Sequence, residues 1–264
     1  MRNATDTPAR RRVVLMYHAI ADAAGAVPDG QDAHYTVDLA RFGDHLDALA
    51  AHGGGTSARD WLAAPSAATP ITFDDGHVSN FTHALPALLR QAMRADFFVN
   101  PANVGRRGFA SWAQLREMAG AGMSIQSHGW DHRYFTELDA TRLREDLVRS
   151  RAAIEDALGA PVTLVAPPGG RMPRGFAAIA RECGYAHVLS SRPGRASAAA
   201  PVTLPRMAVT AAADVATLEA WLRGRGIAAA RLRYAALGLA KRAFGDRRYE
   251  RLRARLLRRD GTPT

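Results

Sequence analysis

The stretch Pro70-Ile71-Thr72-Phe73-Asp74-Asp75-Gly76 decides the fold, because it joins an apolar strand to two adjacent carboxylates. Its apolar residues are typical of the end of a buried strand, and Gly76 allows the backbone to turn sharply. Neighbouring residues of an extended segment point to opposite faces, so Asp74 and Asp75 can have different roles. Asp-Asp-Gly alone is typical of a solvated turn. Its position at a strand end and the histidines that follow later favour a functional site.

Two imidazoles follow further along the chain, in the motif His128-Gly129-Trp130-Asp131-His132. One carboxylate and two imidazoles form a common hydrolytic zinc set, in which three protein ligands leave one position for water. We therefore predict that Asp75, His128 and His132 bind one divalent metal ion and that Asp74 is the general base. Zn²⁺ is the expected ion, with Co²⁺, Ni²⁺ or Fe²⁺ as alternatives, because these ligands serve several metals.

In this order and spacing, Thr72-Phe73-Asp74-Asp75-Gly76 and the histidine motif resemble the first two motifs of the polysaccharide deacetylases. This is carbohydrate esterase family four, with the nodulation-type deacetylase domain. The resemblance covers roughly residues 13 to 210. It implies a metal-dependent hydrolase that removes N-acetyl groups from an amino-sugar polymer or a lipid-linked glycan. The attacking group would be metal-bound water, whose pKa the metal lowers to ~7.

The segment Val14-Leu15-Met16-Tyr17-His18 resembles the opening of the circularly permuted branch of this family. That branch deacetylates exopolysaccharide such as poly-N-acetylglucosamine. In the common arrangement the acid histidine lies in a late Leu-x-His motif, and no such motif follows residue 187 here. The resemblance implies that His18 is the general acid that protonates the leaving amine. A structural histidine at a strand end is the alternative.

The segment Val165-Ala166-Pro167-Pro168-Gly169-Gly170 departs from the family's third motif, in which an arginine stands two residues before Pro-Tyr-Gly. A valine occupies the arginine position, and Pro168 has no N–H to donate to an oxyanion. The N–H of either following glycine could replace that donor. Arg171 or Arg206 could supply the missing cation.

Apolar strands alternate with amphipathic helices along the chain, which predicts a parallel sheet with helices outside it. The candidate residues follow strands, where a β/α barrel places its active site. The family resemblance implies an α/β fold, an irregular (β/α) barrel of about seven strands. We predict a barrel domain over residues 13–225 and a C-terminal helical extension over 226–264.

The formal net charge of +10 is concentrated near the C-terminus, where residues 223–260 contain 13 Lys+Arg and 3 Asp+Glu. Apolar residues form two stripes in this tail, at Ile227, Leu232, Ala235, Leu239 and Ala243, and at Tyr249, Leu252 and Leu256. Basic amphipathic helices can bind anionic membranes, and a helical pair packed on the barrel is the alternative. The tail lacks the alternation of aromatic and basic residues that would indicate nucleic-acid binding.

The single cysteine, Cys183, excludes an internal disulfide framework and agrees with a reducing compartment. The apolar run Val13 to Met16 is too short for the core of a secretory signal. We therefore expect a cytoplasmic protein, associated with the membrane if the tail binds lipid. The remaining histidines have no ligand spacing, and His45 and His52 are interpreted as surface residues.

Two other functions fit the same residues. A catalytically silent glycan-binding relative would be consistent with the altered third motif, although a binding module needs neither an acid nor a base. A deacylase of a non-sugar amide would use the same chemistry on another substrate.

Overall fold

The structure is a computed structural model that describes residues 11–199 and 202–244, with side chains described up to residue 236. The chain divides into two compact units at the boundary between Arg225 and Gly226. The predicted domain boundaries, at residues 13–225 and 226–264, remain a prediction. The second apolar stripe of the tail, at Tyr249, Leu252 and Leu256, lies outside the described residues.

Short strands form one large sheet and two small pairs. In chain order the strands are β1 (Arg11–Arg12), β2 (Leu15–Tyr17), β3 (Ile20–Ala21), β4 (Val37–Asp38), β5 (Gly55–Thr56), β6 (Thr69–Phe73), β7 (Asp96–Val99), β8 (Ser124–Ser127), β9 (Leu164–Val165), β10 (His187–Leu189), β11 (Ala196–Ser197), β12 (Thr203–Leu204) and β13 (Met207–Ala208). The large sheet has the order β12-β10-β9-β8-β7-β6-β2-β13, with β5 paired to β6. All its pairings are parallel, which confirms the predicted (β/α) architecture.

Helices lie between these strands and after the last of them, where the final helix belongs to the second compact unit. They are α1 (Leu39–Ala51), α2 (Ala58–Ala63), α3 (Leu85–Arg90), α4 (Trp112–Gly120), α5 (Ala140–Leu158), α6 (Phe176–Glu182), α7 (Val215–Leu222) and α8 (Ile227–Phe244). Several begin at an N-cap side chain, and at α4 Ser111 and Gln114 form a complete capping box. Among the described helices, none has both the length and the hydropathy that a membrane span requires.

The two ends of the large sheet meet in one short segment, residues 203–208. Its first half, β12, pairs with β10, and its second half, β13, pairs with β2 at the opposite end of the strand order. Ser190 N–H donates to Leu204 O at 2.8 Å, and Met207 N–H donates to Val14 O at 2.7 Å. This segment brings both edges together, which makes the architecture an irregular barrel. Within the described residues this path contains eight strands, close to the predicted number of about seven.

The interpretation of His45 as a surface residue is wrong, because its side chain on α1 is 0% exposed. Its Nε2–H donates to Ala213 O at 3.0 Å, and the Tyr17 hydroxyl donates to its Nδ1 at 3.1 Å. Burial lowers the pKa of His45. Both partners lie far from His45 in the chain, so its helical position alone did not reveal them.

Candidate metal centre and active site

The carboxyl ends of neighbouring strands bring the predicted residues to one edge of the sheet. Tyr17 is paired with Phe73, and Ser127 is paired with both Val99 and Val165. The residues that follow these strands form two levels, because Phe73 is paired with Phe97 rather than with Val99. His18 and Asp74 share the first level, and Asn100, His128 and Ala166 share the second, two residues further along the strands. Five separate segments of the sequence therefore end at this edge of the sheet.

Asp75, His128 and His132 come together as predicted. Asp75 Oδ1 lies 3.3 Å from His128 Nε2 and 3.2 Å from His132 Nε2. One ligand atom from each residue lies within 4.8 Å of the other two, and no other such group of three or more occurs within the described residues. Asp75 and His132 have left-handed backbones, with φ of 76° and 66°. These turns direct both side chains toward the buried His128.

The chemistry of these donors fits a divalent metal ion. His128 Nδ1–H donates to Ala166 O at 2.8 Å, so Nε2, which faces Asp75, is the ring nitrogen that can bind a cation once its proton is lost. Burial would raise the pKa of Asp75, but hydrogen bonds from His128 and His132 hold it well below its usual value. Burial opposes protonation of His132, yet Asp75 raises its pKa. A cation at this point would replace the protons that otherwise hold the three groups together.

Asp74 is paired with Arg206, which identifies the cation that the sequence left open. Arg206 Nη1 donates to Asp74 Oδ1 and Nη2 to Oδ2, both at 2.7 Å. The two residues are 0% and 3% exposed. Burial would raise the pKa of Asp74, but the charge of Arg206 holds it below its usual value. The other candidate, Arg171, instead lies over the ring of Tyr134 at 3.9 Å.

His18 lies at the same edge, stacked on Tyr35 with ring centroids 4.7 Å apart. Asn80 Nδ2 donates to the His18 carbonyl at 2.7 Å and anchors its main chain. Burial lowers the pKa of His18, although Asp75 and Asp74 oppose this effect. Within the described residues, its Nδ1 is buried without a hydrogen-bond partner. His18 is thus held by ring stacking and by its main chain.

The altered third motif forms a single 3₁₀ turn, Pro168–Gly170. Gly170 N–H donates to Pro167 O at 2.9 Å, which occupies one of the two predicted oxyanion donors. Gly169 has φ of 60°, and a Cβ there would lie 2.6 Å from Tyr134 Cε1. The turn therefore packs directly on the loop that carries His132, and Gly169 is the better candidate for a donor.

Residues 64–188 match the family model described as "Polysaccharide deacetylase". The chain contains a polysaccharide deacetylase domain. The resemblance predicted from the two motifs is therefore confirmed. The matched region includes both carboxylates and both histidines, but neither His18 nor Arg206. His18 and Arg206 lie outside the matched region, and folding of the sheet places them at the site.

Related proteins match parts of this chain. YxkH of Bacillus subtilis is 30% identical over 127 residues, which is 48% of this chain and 46% of YxkH. The peptidoglycan-N-acetylglucosamine deacetylase PgdA of Listeria monocytogenes is 31% identical over 101 residues, 38% of this chain and 21% of PgdA. The chain thus aligns with less than half the length of these relatives.

Solved structures show the same fold over most of the chain. The Streptococcus pyogenes deacetylase PplD superposes with a TM-score of 0.72 at 22% identity, covering 83% of this chain and 99% of PplD. IcaB from Ammonifex degensii superposes with a TM-score of 0.67 at 26% identity, covering 80% of this chain and 96% of IcaB. The likeness therefore extends well beyond residues 64–188.

Proposed function

We propose that this protein is a metal-dependent carbohydrate N-deacetylase that hydrolyses the acetamide of an amino-sugar polymer or a lipid-linked glycan. The observation that carries the proposal is the joint placement of two groups at one edge of the sheet. A three-residue metal set, Asp75, His128 and His132, lies beside an ionised base, Asp74, held by Arg206. A glycan-binding module would need neither group.

Asp75, His128 and His132 would hold the ion, with Zn²⁺ expected and Co²⁺, Ni²⁺ or Fe²⁺ as alternatives. When bound, the ion supplies a water of lowered pKa and polarises the amide oxygen. His128 is fixed for this task, because its Nδ1–H is already committed to Ala166 O. Its orientation therefore does not depend on the substrate.

Asp74 takes the proton of the attacking water. Arg206 keeps this carboxylate ionised and fixes its plane through two parallel hydrogen bonds. Each oxygen retains a lone pair for a further hydrogen bond, so the base can accept the proton without losing Arg206. Such a fixed base contributes to the rate through its position as well as its charge.

His18 donates the proton that the departing amine requires, since an unprotonated amide nitrogen is a poor leaving group. Burial lowers its pKa, which makes the imidazolium a stronger acid. The N–H of Gly169 is proposed to stabilise the developing oxyanion. Acid and base are then separate groups, each held before substrate binds.

Acetate release from N-acetylglucosamine oligomers, with metal content measured in parallel by mass spectrometry, tests this function. Wild-type protein is expected to contain about one metal ion per chain and to release acetate. Asp74→Asn is expected to abolish turnover while metal and sugar binding persist. Sugar binding without acetate release in wild type would instead indicate the silent relative, and hydrolysis of non-sugar amides alone would indicate the other deacylase.

The basic tail is proposed to contact anionic membrane, which would suit a lipid-linked glycan at the inner leaflet and a cytoplasmic location. In support, α8 is helical as the apolar stripe predicted, and Leu232 on it is 73% exposed. Flotation with anionic and neutral vesicles tests this for the full chain and for a chain ending at Arg225. Equal binding of both chains to anionic vesicles would contradict it.

A further inference from the structure

Side chains of α5 hold the main chain between His128 and His132. Trp130 N–H donates to Asp146 Oδ1 at 2.9 Å, and Ser150 Oγ–H donates to Gly129 O at 3.0 Å. Asp146 and Ser150 lie four residues apart on α5, so their side chains lie on the same face of that helix. They are 6% and 0% exposed. The loop that joins the two histidines is therefore attached to the protein core.

This loop is not helical, so no regular repeat sets the distance between its two imidazoles. Gly129 and His132 both have left-handed backbones, with φ of 77° and 66°. For a residue other than glycine, this conformation costs of order 1–3 kcal/mol and persists only where the surroundings impose it. The contacts with α5 are such surroundings.

The loop also packs closely at Gly129, against Phe135 and against α5. A Cβ on Gly129 would lie 2.8 Å from Phe135 Cε1 and 3.1 Å from Asp146 Oδ1. On the outer side, the Arg149 guanidinium of the same helix lies 3.6 Å from the centre of the Trp130 ring. Three sets of contacts from one helix therefore act on the path of the chain between the histidines, together with Asn100, whose Nδ2 donates to Gly129 O at 3.2 Å.

We propose that Asp146 and Ser150 are positioning residues for the metal centre, which set the separation of His128 and His132 by holding the main chain at Trp130 and Gly129. The inference rests on the proposed function, in which those histidines bind the ion. Ligands that are already ordered bind more tightly, because no ordering entropy is lost on binding. Loosening the loop should therefore weaken metal binding.

The test titrates metal-free wild type, Asp146→Ala, Asp146→Asn and Ser150→Ala with Zn²⁺ by calorimetry and with Co²⁺ by visible absorption. Asp146→Ala is expected to lose about 10–100-fold in Zn²⁺ affinity and to change the Co²⁺ spectrum, which reports ligand geometry. Asp146→Asn keeps an oxygen that can accept from Trp130 N–H, so it should restore most of the affinity. Asp156→Ala is the matched control, an exposed carboxylate on the same helix, and should bind as wild type does.

Thermal unfolding of the metal-free proteins separates positioning from mere structural support. Reduced stability of Asp146→Ala with unchanged affinity and spectrum would overturn the inference. If Asp146→Ala does not fold, the same measurements on Ser150→Ala decide whether the inference holds. Wild type that binds no divalent ion would overturn both the inference and the metal centre. Weaker binding by the variants of a protein that releases no acetate would support the inference and overturn the proposed function.

Discussion

Arg206 binds both carboxylate oxygens of Asp74 at 2.7 Å, although the two residues lie 132 positions apart in the chain. Arg206 lies within the segment that joins the two edges of the sheet, and its Nε–H donates to Ser190 O at 3.3 Å. Asp74 follows β6, which is separated from β13 in the strand order by β2. One side chain therefore links the segment that closes the sheet to the proposed base.

Replacing Arg206 by Met should lower the free energy of unfolding by about 3–5 kcal/mol, because it leaves a buried carboxylate without its partner. Denaturant unfolding measures this loss. Arg223→Met is the control, since its exposed pair with Glu219 should contribute no more than about 1 kcal/mol. The double variant Arg206→Met/Asp74→Asn should recover part of the loss. Equal losses in the single and double variants would contradict the pairing argument.

Replacing His128 by Ala should abolish stoichiometric metal binding, because it removes the most buried ligand of the set. Chelation of wild type should lower its unfolding temperature and leave that of His128→Ala unchanged, since bound metal stabilises only the folded state. Mass spectrometry and thermal unfolding are the measurements. His52→Ala, whose imidazole contacts its own helix at Ala48 O, should retain metal. Full metal content in His128→Ala would refute the assigned ligands.

Replacing Gly129 by Ala should destabilise the protein more than replacing Gly175 by Ala. Both glycines have positive φ, 77° and 76°, but an added Cβ meets Phe135 at 2.8 Å in the first case and nothing within 4 Å in the second. Gly175→Ala should therefore cost about 1 kcal/mol for its backbone alone. Gly129→Ala adds a clash with a buried ring. Similar unfolding midpoints in denaturant for the two variants would disprove the close packing of this loop.

Stability should fall as pH rises through neutrality, because burial raises the pKa of Asp96 to about 7. The folded state holds this proton more tightly than the unfolded chain does, whose Asp pKa is about 3.9. The stabilisation that this proton provides is complete below pH ~3.9 and is lost as pH rises through 7. Asp146, whose pKa burial raises to about 6, acts in the same direction.

The contribution of Asp96 to this pH dependence is measured from unfolding temperatures. Metal-free wild type and Asp96→Asn are compared between pH 5.5 and 8.5. The variant should lose less stability than wild type over this interval. Asp156→Asn should follow wild type, because that carboxylate is exposed. Parallel curves for wild type and Asp96→Asn would show that Asp96 does not titrate in this range.

The alternation of strands and helices and the grouping of Asp75, His128 and His132 were predictable from local patterns. Buried parallel strands have continuous apolar runs, and the residues that follow them are polar. The Asp74-Asp75 pair and the two histidines are short motifs, so their spacing is visible in the sequence. The choice between Arg171 and Arg206 was not predictable from local patterns. The partner of a buried carboxylate is determined by the path of segments that are distant in the chain.

The sequence by itself indicated the class of fold, the candidate ligands Asp75, His128 and His132 and the concentration of positive charge in the tail, since each is visible in short motifs or local composition. Only the tertiary structure decided that Arg206 pairs with Asp74, that His45 is buried, and that α5 holds the loop between the histidines. Those relations join segments far apart in the sequence. They depend on closure of the sheet, which places side chains that no local pattern relates.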